Sequence, residues 1–355
     1  MHDLLVAGGG PVGLATALYA RRAGLSVAVV EPRPGPVDKA CGEGLMPGAV
    51  EALRQLGVPL GGHRLTGIRY TDGRRSAEAA FRGGEGRGVR RTELHAALGA
   101  AVEAAAIPVL PRAVERVEQT SDRVRAAGLE ARYLVAADGL HSPIRRQLGL
   151  DVGVRGLRRY GLRQHYRLAP WTDLVEVHWG AGLEAYVTPV AADLVGVALL
   201  TSHREPFAVQ LEAFHALLER LPSQAATSTR GAGPLRQRSR ARVAGRVLLV
   251  GDAAGYVDAL TGEGISVGLA SARALVECVV ADRPADYERR WLAVSRRYRW
   301  LTEALLEARS RRASARLIVP AAERLPPVFS AAVNLLAQSM PESSPPCQNA
   351  DRSGV

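Results

Sequence analysis

The chain opens with an unbroken apolar run, Leu4–Ala7. Gly8-Gly9-Gly10-Pro11-Val12-Gly13 follows, then Leu14, Leu18 and Tyr19 at helical spacing. This pattern predicts a buried strand, a glycine turn and a helix that stops at Gly24. Leu25–Val30 reads as a second buried strand closed by Glu31, which completes a βαβ unit. Residues 33–48, rich in Gly and Pro, read as an ordered loop. Residues 64–90 read as charged strand material with turns at Asp72-Gly73 and Gly83-Gly84. Arg91–Ala105 places Leu94 and Leu98 on one helical face, and Tyr133–Ala137 is a strand running into Asp138-Gly139. Ser142-Pro143 then supplies the cap and first turn of a short helix ending near Gly149.

From 154 to 201 the period changes to two. Tyr160–Arg167, Leu174–Trp179, Ala185–Val190 and Leu194–Leu200 predict a meandering antiparallel sheet. A helix is expected near Pro206–Leu221, a buried strand at Val247–Val250 and a long helix at Glu263–Val280. A last helix, Asp286–Arg316, carries an apolar seam of Trp291, Val294, Tyr298, Leu301 and Leu305 opposite an arginine face. The tail from Pro341 has the composition of a disordered segment. The fold class is α/β (α+β): a parallel-sheet domain, an antiparallel-sheet domain and C-terminal helices.

Composition changes this picture little. The 355 residues are 47% hydrophobic, 5% aromatic and 23% charged, so the core is aliphatic and wholesale disorder is excluded. Lys+Arg exceed Asp+Glu by 46 to 35. Lys39 is the only lysine, and the basic residues form no nucleic-acid motif, so no nucleic-acid partner is expected. Cys41, Cys278 and Cys347 are too scattered for a disulfide framework, and no metal site is expected. Met1-His2-Asp3 runs straight into the first strand and no apolar stretch is long enough to span a bilayer. A cytoplasmic protein is expected. The basic helix at 286–316 reads as a packing helix with a solvated arginine face; peripheral membrane contact is the less favoured alternative.

Three segments carry chemistry. Gly8, Gly10 and Gly13 form a GxGxxG fingerprint, with Pro11 and Val12 opening the helix. The glycines permit a tight turn, close backbone approach to a pyrophosphate and close helix packing; the helix start faces the phosphates. Glu31, with Arg33 just beyond it, ends the second strand where a carboxylate accepts from ribose hydroxyls. Asp138-Gly139 ends one later strand and Gly251-Asp252 another. After Gly251-Asp252 the chain continues to Gly262-Glu263-Gly264-Ile265 at a helix start, whose amides suit a developing anion.

Together the chain resembles FAD-dependent oxidoreductases of the para-hydroxybenzoate hydroxylase superfamily. GGGPVG, ADGLHSPIR at 137–145 and GDAAGYVDALTGEGI at 251–265 match its three fingerprints in order. The resemblance covers about residues 1–285. It implies a Rossmann-like FAD-binding domain from 1–65, 85–153 and 241–283, and a substrate domain from 66–84 and 154–240. Residues 284–340 would be C-terminal helices and 341–355 a disordered tail. It also implies that Arg91 lies near the FAD pyrophosphate, that Asp252 binds the ribityl chain, and that Asp138 and Gly139 support FAD and the nicotinamide donor.

The Asp38–Leu45 loop, DKACGEGL, looks like that of the geranylgeranyl reductase branch and of flavin hydroxylases acting on polyketide or terpenoid intermediates. Cys41 and Gly42 in it are expected beside the cofactor. The chain has Ala259 where the reductase branch has proline, and Tyr186-Val187-Thr188-Pro189 where that branch has an aromatic strand. Lys39 and Cys41 are the weak catalytic candidates; Tyr186, Pro189, His165 and His178 are candidates for the substrate pocket. The leading expectation is a monooxygenase that uses FAD, NAD(P)H as transient donor and O2. It would hydroxylate or epoxidise a small apolar aromatic or olefinic natural-product intermediate through a flavin C4a-hydroperoxide. The alternative is a reductase of isoprenoid double bonds; a flavin halogenase or a non-catalytic flavoprotein stands third. With one dinucleotide fingerprint, the donor docks transiently or a partner reductase supplies the electrons.

Overall fold

A computed structural model describes residues 1–154, 156 and 158–337; the predicted disordered tail lies outside the described residues. An eight-stranded sheet forms the first layer. Its path runs Val243–Ala244, Val247–Leu249, Leu129–Ala136, His2–Ala7, Val27–Val30 and Val109–Leu110. Every neighbouring pair from Val247–Leu249 onward is parallel, with Leu4 opposite both Tyr133 and Val27. Leu4, Leu5, Val6 and Val29 are wholly buried, as expected where helices cover both faces of a parallel sheet. The helices Pro11–Arg22, Arg91–Ala104 and Gly264–Val280 pack around it. Ala15, Ala17 and Ala20 keep the first helix close to its neighbours.

The second, seven-stranded sheet runs Arg230–Ala232, Tyr160–Arg167, Leu194–Thr201, Leu183–Ala191, Leu174–Trp179, Gly67–Thr71 and Ser76–Ala80. All its pairs are antiparallel except Leu174–Trp179 with Gly67–Thr71. Alternation divides its side chains. Ala185, Val187 and Leu199 pack under Phe207, Leu211, Phe214 and Leu217. Val175, Val177, Tyr186 and Ala198 face the other way, onto Met46, Leu140, Leu260 and the C-terminal Phe329 and Val333.

Three expectations about the elements are corrected. The 33–48 segment ends in a strand, Gly44–Leu45, and a helix, Pro47–Gln55. Pro47 occupies the first helical turn and Ala49 and Leu53 are buried four residues apart, a start signal hidden by the surrounding glycines. The predicted helix at 206–221 is two short ones, Phe207–Leu211 and His215–Leu218, because the chain leaves helical geometry at Phe214 (φ −118°, ψ 65°). The last long helix ends at Ser310, where Arg311 is extended, before a short turn at Arg312–Ala315. Its buried seam includes Ser295 and Thr302 alongside Trp291 and Tyr298, so it is more polar than expected. Among the described residues, no helix is long and apolar enough to cross a membrane.

Candidate active site

The site is built at the carboxyl edge of the parallel sheet, where such sheets place their ligands. Three strands end there, and the ladder continues one step past them. Gly8 N–H donates to Val30 O (2.8 Å), Ala137 N–H to Ala7 O (2.8 Å) and Val250 N–H to Ala136 O (3.0 Å). Gly8, Asp138 and Asp252 are thereby delivered to one rim.

Two of the glycines are required by space. A Cβ on Gly8 would lie 2.4 Å from Ala137 O and one on Gly13 would lie 1.9 Å from Gly8 O. Gly10 differs: the nearest atom to its would-be Cβ is Arg91 Nη2 at 4.0 Å, so the backbone is open there. The first helix begins at Pro11 with no side-chain cap, leaving the Val12 and Gly13 amides free at its positive end.

Beyond Gly9 a cleft of about 590 Å³ is lined by Glu31, Arg33, His95, Ile107 and Val109. Glu31 accepts from Gly9 N–H (2.9 Å), from Arg33 Nε (2.7 Å) and from Arg33 Nη2 (2.9 Å). Burial alone would raise the Glu31 pKa, but the Arg33 guanidinium and the two amides bring it below its ordinary value. The carboxylate is therefore ionised at neutral pH and fixed in place. His95 Nε2 meets Gly9 O at 2.9 Å and closes the turn from the other side.

At the opposite end, Lys39 Nζ lies 3.6 Å from Asp252 Oδ2 and within 4 Å of where a Gly139 Cβ would stand. The Asp38–Leu45 loop thus meets both later fingerprints. Cys41 Sγ accepts from Glu43 N–H (3.4 Å), and burial raises its pKa, so it is a neutral thiol. Gly42 O accepts from Thr188 Oγ1 (2.9 Å). Glu43 takes a left-handed φ of 60°, uncommon for a residue with a side chain.

What holds Glu43 there is a buried network that the sequence pattern did not reveal. Its Oε1 accepts from Arg91 N–H (2.8 Å) and its Oε2 meets His165 Nε2 (2.6 Å). His165 Nδ1 contacts Thr227 Oγ1 (3.1 Å) and Arg163 Nη1 (3.1 Å), while Arg163 Nη2 also bonds Asp38. Both ring nitrogens of His165 are thus committed to protein partners. It braces the loop from the sheet side, and the expectation of a substrate contact is corrected. Strand alternation was the available clue, since Arg163 and His165 share one face of Tyr160–Arg167.

The other substrate candidates divide between the faces of the sheet. Tyr186 faces the site loop and donates from its hydroxyl to Leu260 O (2.7 Å). Pro189 alternates with Tyr186 onto the opposite face, and its carbonyl backs onto Gly88. His178 also lies away from the loop, against Phe214 and within 3.3 Å of Glu176 Oε2. Only Tyr186 joins the apolar wall with Met46, Leu140 and Leu260.

Arg145, wholly buried, ties the second fingerprint to the third. It bonds Asp151 Oδ1 (2.7 Å), Ala253 O (3.0 Å), Leu140 O (3.1 Å) and Gln237 Oε1 (2.9 Å). Gly251 takes φ +61° ahead of Asp252, and the helix Gly264–Val280, with Ile265 in its first turn, starts without a side-chain cap. Its cap residue Glu263 is 5% exposed, its Oε2 has no partner among the described residues, and burial pushes its pKa up to about 9. The flanking glycines face Met46 Cε (3.4 Å from a Gly262 Cβ) and the Tyr256 ring (3.3 Å from a Gly264 Cβ).

This geometry fits FAD. Among the described residues, Arg91 Nη1 and Asp138 Oδ1 are buried polar atoms without partners, one beside the open Gly10 turn and one at the rim. Buried groups of this kind are ordinarily satisfied, and a phosphate for Arg91 and a hydroxyl or amide for Asp138 would satisfy them. Burial lowers the Arg91 pKa and raises that of Asp138, whose other oxygen, Oδ2, accepts from Ile144 N–H (3.1 Å).

Comparisons with known proteins agree. The FAD binding domain family matches residues 1–178. The menaquinone reductase of Mycobacterium tuberculosis is 32% identical over 312 residues, covering 78% of this chain and 76% of the relative. The 3-amino-4-hydroxybenzoate 2-monooxygenase of Streptomyces cremeus is 29% identical over 323 residues, covering 80% of each. Among solved structures, p-nitrophenol 4-monooxygenase from Pseudomonas putida DLL-E4 superposes with a TM-score of 0.77 at 19% identity, covering 94% of this chain and 98% of that one.

Proposed function

Because the chain belongs to the FAD-binding family of the para-hydroxybenzoate hydroxylase type and is an FAD-dependent oxidoreductase, we propose that it reduces a carbon–carbon double bond in an isoprenoid chain. One observation carries this choice. Saturating an alkene consumes a hydride and a proton, and Glu263 is a buried carboxylic acid that keeps its proton through neutral pH. Reduced flavin, when bound, supplies the hydride. Glu263 Oε2, unpartnered in the protein, would deliver the proton to the other alkene carbon and then recover one from solvent.

The remaining residues bind, orient and exclude water. Glu31 would hold the adenosine ribose, Gly10, Val12, Gly13 and Arg91 the pyrophosphate, and Asp252 the ribityl hydroxyls. Lys39 and Asp138 would border the ring, and Gly264 and Ile265 would present amides to it. Met46, Leu140, Tyr186 and Leu260 form an apolar wall for a hydrocarbon chain. Support also comes from the name of the 32% identical relative, a reductase acting on a quinone that bears an isoprenoid chain. The order of the two leading expectations from sequence is thereby reversed. Hydroxylation of an aromatic ring stays as the second reading, favoured by the 29% identical monooxygenase.

Product mass separates the two. Holoprotein incubated with a reductant and a polyprenyl quinone should yield a product that, once its ring has been reoxidised to the quinone, is heavier by one H2 in the isoprenoid chain. In deuterated water one added hydrogen should come from solvent, and Glu263→Gln should slow turnover more than it weakens substrate binding. A product heavier by one oxygen atom would overturn the proposal in favour of hydroxylation.

A further inference from the structure

A second cleft, of about 700 Å³, opens along the Gly251–Ala254 turn between the 236–242 segment and the long C-terminal helix. It shares Gly251, Asp252 and Gly264 with the site above, but none of the Gly8–Gly13 turn lines it. Its charge is lopsided. Arg236, Arg238, Arg240, Arg242 and Arg299 line it against only two carboxylates, Asp252 and Glu303.

Two of the five arginines are already engaged. Arg236 lies 3.6 Å from Glu303, and Arg242 is held by Glu288 (2.8 Å) while stacking 3.8 Å from the centre of the Trp291 ring. Among the described residues, the side chains of Arg238, Arg240 and Arg299 have no carboxylate or hydrogen-bond partner. Arg299 does lie 5.4 Å from the same Trp291 ring, which fixes its direction. Arg236, Arg238 and Arg240 occupy alternate positions of the 236–242 segment, and all three line the cleft.

A second observation is independent of charge. Ser271 and Ser295 are among the residues that line this cleft, are each 1% exposed, and have side-chain hydroxyls with no hydrogen-bond partner among the described residues. A buried hydroxyl left unmatched is costly, so two of them among the residues lining a cleft that also holds free arginines point to an oxyanion ligand. The cleft volume exceeds what a single inorganic phosphate fills, and the paired arginine forks suit a ligand carrying linked phosphates.

We propose that this cleft, which adjoins the FAD site, is a binding site for an organic diphosphate. Two sources share that chemistry: a nicotinamide dinucleotide that brings the electrons, and a prenyl diphosphate that brings the double bond. The second source rests on the reductase reading; the site itself does not.

Titration of the FAD-loaded protein with inorganic pyrophosphate, followed by calorimetry, tests the site without turnover. Wild type should bind, and Arg238→Ser with Arg299→Ser should weaken binding at least tenfold while flavin content is unchanged. Should that pair misfold, the exposed Arg240→Ser and the buried Ser295→Ala carry the same test singly, each with a smaller loss. Displacement of pyrophosphate by NADPH assigns the site to the reductant; displacement by geranylgeranyl diphosphate assigns it to the substrate. Absence of pyrophosphate binding, equal binding by wild type and variants, or displacement by neither organic diphosphate would overturn the proposal.

Discussion

Glu263→Gln keeps the volume of the protonated side chain and removes its titration. In an unfolded chain the carboxyl ionises near its ordinary value of 4.5, whereas burial holds it protonated in the fold up to about 9. The sign follows from linkage. A carboxyl with a raised folded pKa contributes its full stability only below 4.5, and that stability drains away as pH climbs toward 9. Near pH 7 the wild-type chain therefore bears a cost of about 3 kcal/mol that the glutamine variant escapes, from ~1.4 kcal/mol per pH unit above 4.5. Near pH 5 the difference shrinks below about 1 kcal/mol. Urea unfolding of both proteins at the two pH values measures it. The variant should be the more stable one, by a margin that widens with pH. An equal margin at both values, or a variant less stable at both, would refute a buried, uncharged Glu263. Against a typical total stability of roughly 5–15 kcal/mol, such a cost is large, and it is the mark of a side chain kept for chemistry rather than for folding.

Asp252→Ala should give a folded chain that loses FAD on gel filtration, because a ribityl-binding carboxylate is removed while Arg145 still ties the turn through main-chain carbonyls; normal flavin content would sink that role. Gly13→Ala should abolish FAD binding and lower soluble yield, since its methyl would stand 1.9 Å from Gly8 O; a yellow, well-expressed variant would show that the turn relaxes at little cost.

Much of this arrangement was legible in the chain. The first strand, glycine turn and helix follow from an apolar run, three spaced glycines and helical periodicity, all local signals. The antiparallel strands follow from period-two alternation, and Tyr160–Arg167 and Leu174–Trp179 match their expected limits. Long-range pairing was the illegible part. Nothing near Glu43 in sequence announces that His165, 122 residues away, will meet its carboxylate, or that Arg163 will brace the same loop. His178 and Pro189 illustrate a second limit. Alternation told that neighbouring strand positions face opposite ways, but which face meets the cofactor domain depends on how two sheets dock. Glu263 was legible as a helix-start residue; that its carboxyl would be enclosed without a partner depended on Tyr256, Met46 and the C-terminal helix arriving from elsewhere.

Arg145 has a consequence for how mutations will be tolerated. It ties separate segments of chain together, and three of its five partners, Asp252, Ala253 and Leu140, are engaged through main-chain carbonyls. A main-chain acceptor survives a change of side chain, so positions 253 and 140 retain their half of the link under substitution that fits the space. Position 145 has no such latitude, because only a guanidinium spans all five acceptors at once. A saturation scan scored by flavin retention should therefore be one-sided across this contact: intolerant at 145, permissive at 253 and 140 for residues of similar size.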